Sequence, residues 1–273
     1  MKTLKKELTF EGVGLHSGEP ACVTLCPYDK EGIYFENENG ICSITEATLA
    51  EDSRLTAFRL PNGVAVRTGE HMLGTIVGMG LDSVLVKNKF EEIPILDGSG
   101  ALFAGEIALN IADDGKPVKK PFISSPLPVE EQNGKRFVIA LPSETLKITY
   151  TIDYTGTPIG VQTVTYDITR ETFQDVICRA RTFGLTREFE FLKKYGLARG
   201  GSLENAMVFD ENGLLEGQEL RFPLECVTHK VLDLLGDLAL LGAVPVGHYI
   251  AHLAGHSTHG LLCGKLKKIL NIR

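Results

Sequence analysis

The order of predicted elements repeats along this chain, and that repeat limits its fold more than any other feature. Both halves begin with strands, continue with a helix and a strand, and close on a second helix. In the first half, Cys22–Cys26 and Gly32–Phe35 are short apolar or alternating runs bounded by Pro, Gly, Asp and Asn, which predicts strands between Glu7 and Asn37. A helix is expected from about Gly69 to Gly80, where Met72, Thr75, Ile76 and Met79 recur at helical spacing. The strand Ser83–Lys87 and a helix over Ser99–Ala112 follow. The stretch from Asp113 to Pro128 holds four prolines and little periodicity, so the chain is expected to divide there into domains 1–120 and 128–273. In the second half, strands are predicted at Arg136–Leu141, Leu146–Asp153 and Val161–Tyr166. Helices follow at Glu171–Arg181, Glu188–Tyr195 and Pro223–Gly242, then a strand at Val246–Leu253 and a last helix at Thr258–Leu270. His71 precedes Gly78 by seven residues, as His229 precedes Gly236. With the matching element order, this favours an internal duplication: an α+β chain of two layers with related topology.

Composition narrows the class. The chain has 273 residues, of which 43% are hydrophobic and 23% charged, as in an ordinary globular protein able to fold without disulfides or a structural metal. A net charge of −7 argues against a nucleic-acid partner, whose phosphates call for a basic excess. The six cysteines form no CxxC pair, so buried reduced thiols and a reducing, cytoplasmic compartment are expected. Met1–Glu7 has basic residues but no apolar run behind them, unlike a signal peptide. Leu238–Gly264 lacks Asp, Glu, Lys and Arg, yet Pro245 and five glycines cut it into pieces too short to span a bilayer. A monomer with no integral membrane segment is expected.

Five of the seven histidines fall between His229 and His259, so the last quarter is where a metal or acid–base site belongs. On the predicted helix, His229, Asp233 and Asp237 lie within an arc of ~80°, opposite Leu224, Val227, Val231, Leu235 and Leu238. An arbitrary helix with that pattern turns its polar face to solvent. The i, i+4 spacing also lets two side chains grip one metal ion. A catalytic zinc needs a third protein ligand and keeps one position for water. Glu70-His71 offers a ligand with a carboxylate beside it that can accept a proton. Taken alone, the pair is equally an acidic helix start that suits the dipole.

Several runs, in order, resemble the bacterial UDP-3-O-acyl-N-acetylglucosamine deacetylases. They are Gly12–Gly18, Val66–Leu73, Glu92–Ser99, Ala180–Gly184, Gly200–Ser202, His229–Asp237 and Gly255-His256, and together they span nearly the whole chain. The resemblance implies two facing α+β domains with the active site between them. It implies zinc-dependent removal of the N-acetyl group from an acylated UDP-glucosamine, an early committed step of lipid A biosynthesis. By position, His71, His229 and Asp233 would hold Zn2+, with water as the fourth ligand. Glu70 would be the general base, and His256 the cation that stabilises the oxyanion and protonates the leaving amine. Asp237 would keep His256 charged, while Thr182 and Lys230 would contact the intermediate or substrate. The segment 183–203 corresponds to an insert lining the acyl-chain passage, with Phe183, Leu185, Phe189, Phe191, Leu192 and Leu197 as apolar lining. Each methylene buried there would contribute about 0.8 kcal/mol. Phe183, Leu197, Arg199 and Gly201 are the expected substrate contacts, Arg199 toward the phosphates. Of the series His248, His252, His256, only His256 matches a family position. The stretch reads as a strand ending in a glycine turn, which would set i and i+4 side chains some ~13 Å apart. His248, His252 and His259 are therefore read as packing or surface residues, and His16 as structural. Two alternatives stay open: a zinc amidase of the same fold acting on another N-acylated sugar, or a non-catalytic nucleotide-sugar-binding module. The intact set of Glu70, His71, His229, Asp233 and His256 argues against the second.

Overall fold

The computed structural model describes residues 1–49, 55–189 and 196–272. The chain opens with β1 (Lys2–Leu4), β2 (Leu8–Val13), β3 (Pro20–Cys26), β4 (Gly32–Asn37) and β5 (Gly40–Ser43). Short strands β6 (Thr48–Leu49), β7 (Phe58–Arg59) and β8 (Ala65–Val66) lead into helix α1 (Glu70–Gly78), strand β9 (Ser83–Asn88) and helix α2 (Ala101–Leu109). Strand β10 (Ile111–Asp113) pairs back onto β1. The second half runs β11 (Leu127–Glu131), β12 (Arg136–Leu141), β13 (Lys147–Tyr154), β14 (Gly160–Asp167) and helix α3 (Arg170–Asp175). It continues through β15 (Phe183–Leu185), β16 (Met207–Phe209), helix α4 (Glu225–Leu238), β17 (His248–His252) and helix α5 (His256–Ile269).

Two five-stranded sheets share one plan, with orders β2-β3-β9-β4-β5 and β11-β12-β17-β13-β14. In each, the late strand, β9 or β17, is antiparallel to one neighbour and parallel to the other. The parallel partners are separated by a long connection carrying α1 or α4, as parallel pairing requires. Strand β13 alternates buried Ile148, Tyr150 and Ile152 with half-buried Thr149 and Thr151, the period of a sheet with one packed face. Ser83–Val86 of β9 is buried on both faces, as suits a central strand reading as an apolar run. The architecture is α+β, and one apolar cluster runs from Val23, Phe35 and Val84 through Met72 and Leu232 to Ile148 and Tyr249.

Helix α4 corrects the solvent-face expectation: every residue of it except Lys230 is buried. Its polar face meets the polar residues of α1 and α5 instead of water, so an amphipathic pattern here marks an internal polar seam. The helix starts at Glu225, after Leu224 takes a left-handed φ of 63°. It ends at Leu238 and passes through a 3-10 turn, Ala239–Leu241. The helix expected over Glu171–Arg181 is cut at Asp175, with a 3-10 turn at Ile177–Arg179 and extended backbone at Ala180. The last helix begins at His256 rather than Thr258. Of the helix expected at Glu188–Tyr195, residues 190–195 lie outside the described residues, Phe191 and Leu192 among them. No helix of the described residues is long and apolar enough to cross a membrane.

Helices α1 and α4 cross at backbone contact, and two glycines allow it. A Cβ on Gly236 would lie 2.1 Å from the Glu70 carbonyl oxygen, and one on Gly74 would lie 2.8 Å from that of Leu232. The crossing sets Glu70-His71 against His229 and Asp233. Gly236→Ala should therefore force the helices apart, costing about 1–3 kcal/mol as overpacking does, and should weaken metal retention with it. Thermal denaturation and metal analysis check this; an unchanged Tm with full metal content would contradict the tight crossing.

Candidate active site

The site is assembled from four segments. The first turn of α1 supplies Glu70 and His71; one face of α4 supplies His229, Asp233 and Asp237; the start of α5 supplies His256; and the loop before β7 supplies Thr56. Glu70, His71, His229, Asp233 and Asp237 are all buried.

His71 Nε2 and His229 Nε2 lie 3.7 and 3.3 Å from Asp233 Oδ1. That oxygen is buried and has no hydrogen-bond partner, a costly state for a carboxylate unless something cationic is bound there. Ligand atoms about 2.0–2.2 Å from a tetrahedral ion sit roughly 3.3 Å apart, so the donor spacing fits a divalent metal. His229 Nδ1–H donates to the Ala180 carbonyl at 3.0 Å, which leaves Nε2 with its lone pair facing Asp233. Burial, followed by the neighbouring His229, pushes His71 down to about 3, and burial lowers His229 as well. Both rings are thus neutral, the form that ligates, and their contacts with Asp233 are not ion pairs. Burial works against a charge on Asp233, but the cations Lys230 and His256 hold its carboxyl well below the usual range. Its other oxygen, Oδ2, accepts from Lys230 Nζ at 2.5 Å.

Glu70 and His256 stand beside this group with opposite shifts. Burial pushes the Glu70 carboxyl up to about 7 against the pull of His256. Its Oε2 accepts from the Thr56 backbone N–H at 3.1 Å, and its Oε1 lies 3.8 Å from His256 Nε2. Burial alone would lower His256, but the charge and hydrogen bond of Asp237 outweigh it and raise the imidazole to about 9. His256 Nδ1–H donates to Asp237 Oδ2 at 2.7 Å, which turns Nε2 toward Glu70. Asp237, His256 and His259 also converge. Their 2.6 and 2.7 Å separations are hydrogen-bond distances, shorter than ligands around one ion would keep.

An open cleft leads to these groups. Thr182, Phe183 and Lys230 line it, as do Phe189, Tyr154 and Ala198. Leu197, Arg199 and Gly201 are not among its described lining residues. Arg199 is exposed, and its backbone N–H donates to the His16 carbonyl. His248 and His252 sit half-buried on β17, bonded to Thr149 and stacked on Phe137 respectively, as packing residues do.

Four residues with a place here had no assigned role in the sequence. His16, read as structural, lines the cleft. Its loop is pinned by Glu92, whose carboxylate accepts from the His16 and Ser17 N–H groups at 2.7 and 2.9 Å and from Thr68 Oγ1 at 3.0 Å. Thr56 bridges Glu70 and Asp237, donating its hydroxyl to Asp237 Oδ1. His259 is wholly buried against Asp237. His16 and Glu92 lie in runs that resemble the family, and His259 lies three residues after His256, sharing its helix face once the helix starts at His256.

The model of a family described as UDP-3-O-acyl N-acetylglycosamine deacetylase matches residues 1–268. A UDP-3-O-acyl-N-acetylglucosamine deacetylase of Oleidesulfovibrio alaskensis is 41% identical over 261 residues, covering 93% of this chain and 85% of the relative. Proteins of the same name from Synechocystis sp. and Chromobacterium violaceum are 38% and 37% identical. The first covers 97% of both chains, the second 97% of this chain and 89% of the relative.

Proposed function

This chain belongs to the UDP-3-O-acyl N-acetylglycosamine deacetylase family, and we infer that it hydrolyses the N-acetyl group of UDP-3-O-acyl-N-acetylglucosamine in lipid A biosynthesis, with zinc and in the cytoplasm. The observation that carries the reading is the pairing of Glu70 and His256, 3.8 Å apart, beside the unpartnered oxygen of Asp233. The family is one of metalloenzymes, and His71, His229 and Asp233 would hold the ion. When bound, a divalent metal there supplies Lewis acidity, polarising an amide carbonyl and lowering the pKa of water.

The protein groups divide the proton work. Glu70, ionised, accepts a proton at its carboxylate from the attacking water; the Thr56 N–H holds that carboxylate in place. His256, as a cation, presents Nε2–H to the developing oxyanion and then to the departing nitrogen, because an amide anion leaves poorly without a proton. Asp237 fixes the imidazole orientation and its charge. Lys230 and Thr182 line the cleft, where an ammonium and a hydroxyl can contact the intermediate. Phe183, Phe189 and Ala198 offer apolar wall to the acyl chain, and Arg199 is proposed to meet the substrate only near the rim.

Activity should therefore be bell-shaped in pH. The base must be deprotonated, so kcat/KM rises as pH passes the value of the Glu70 carboxyl, which burial raises and a bound cation pulls back down. The acid must be protonated, so kcat/KM falls as pH passes the His256 value of about 9. Asp237→Asn removes the charge that raises His256, and its basic limb should move to lower pH with metal content unchanged. A basic limb that stays in place would contradict the acid assignment.

The direct test is acetate release from UDP-3-O-acyl-N-acetylglucosamine and from the same compound without its acyl chain. Release should be fast with the first and much slower with the second. Equal rates would argue for an amidase indifferent to the acyl chain, and no release from either would overturn the reading.

A further inference from the structure

His259 is buried completely and belongs to none of the roles above, yet both its ring nitrogens face polar atoms. Its Nδ1 lies 2.6 Å from Asp237 Oδ2, the same oxygen that receives His256 Nδ1–H. Its Nε2 lies 3.1 Å from the hydroxyl of Tyr150, which is also wholly buried. A carboxylate oxygen only accepts, so His259 must carry its proton on Nδ1 to make the short contact. Burial disfavours a second proton on this ring. The single Tyr150 hydroxyl proton goes to the Ala254 carbonyl at 2.8 Å, so the Nδ1–H to Asp237 is the bond of this ring whose direction its partner fixes. Asp237 thus receives three hydrogen bonds: from Thr56 on Oδ1, and from His256 and His259 on Oδ2.

We propose that His259 is a positioning residue for the reaction: with Thr56 it locks the Asp237 carboxylate at the angle that aims His256 Nε2 into the cleft. This rests on the reading of His256 as the proton donor. A carboxylate held at both oxygens cannot rotate about its Cβ–Cγ bond. Without the His259 donor, Oδ2 is held only by His256, the side chain it has to position, so carboxylate and imidazole can shift together. The brace joins four parts of the chain: α5 with both histidines, β13 with Tyr150, α4 with Asp237 and the loop before β7 with Thr56.

The test uses the metal-loaded full chain. His259→Phe keeps the ring volume and removes the donor; kcat should fall about 10–100-fold, as loss of an outer partner does, with KM within about twofold and metal content unchanged. His259→Asn, which restores an N–H donor toward Asp237, should recover most of the loss. A kcat for His259→Phe within about twofold of the parent would overturn the proposal, as would equal impairment in the Phe and Asn variants. A second measurement needs no substitution: 15N spectra of histidine-labelled protein should report His259 protonated at Nδ1, the nitrogen that faces Asp237. The opposite tautomer would overturn the brace even if His259→Phe failed to fold. Absence of acetate release by the parent would instead count against the proposed function and leave the tautomer result standing.

Discussion

Glutamine in place of Glu70 is expected to lower kcat by about 10²–10⁴-fold, the usual worth of a positioned proton acceptor, while the protein still carries its metal. Glutamine keeps the shape of the side chain and can still accept the Thr56 N–H through its carbonyl oxygen. It cannot take a proton. The donors His71, His229 and Asp233 are untouched, so metal analysis should match the parent. Stability should change little or rise, because a buried carboxyl raised to about 7 is costly to ionise and the amide is not. Metal-free Glu70→Gln protein, or turnover near that of the parent, would remove Glu70 from the base role.

Alanine at Asp233 should have the opposite signature: metal lost, and activity lost with it. Asp233 Oδ1 is the point on which both histidine Nε2 atoms converge, at 3.7 and 3.3 Å. Its removal also strands Lys230, whose ammonium is held by Asp233 Oδ2. Metal affinity should fall by more than the 10–100-fold that the loss of an outer-shell partner costs, and the unpaired, half-buried ammonium should lower stability as well. His71→Ala should lose metal similarly but leave Lys230 paired, so comparison of the two separates ligation from charge balance. Full metal occupancy in either variant would contradict the donor assignment.

Helical spacing put parts of the site together in the sequence, and the family resemblance joined those parts and gave them roles. His229, Asp233 and Asp237 share a face on any helix through them, and Glu70-His71 needs only a helix start. The seven-residue step from His229 to Gly236 also had a physical meaning: Gly236 lets the Glu70 backbone approach. What escaped was long-range. Thr56 reaches Asp237 across 181 positions and Glu92 reaches His16 across 76, and neither partner shares a period with the other. The burial of α4 escaped for a related reason. A polar stripe looks the same whether it faces water or a second polar stripe, and only the packing of α1 and α5 on it decides. His259 was lost to a boundary error of two residues: with the helix begun at Thr258, His256 belongs to a turn and the shared face disappears. Arg199 and Leu197 were placed by resemblance to a segment whose neighbouring positions, 190–195, are outside the described residues, and Ala198 is the residue between them that lines the cleft.

In the proposed reaction, one ion held by His71, His229 and Asp233 is needed for amide hydrolysis at this cleft. Acetate release from UDP-3-O-acyl-N-acetylglucosamine, followed as Zn2+ is added back to chelator-treated protein, tests it most directly. The account predicts negligible release from the stripped chain and a rise that reaches its full value at one Zn2+ per chain. Full release by the stripped protein, or restored activity in Asp233→Ala at the same stoichiometry, would contradict it.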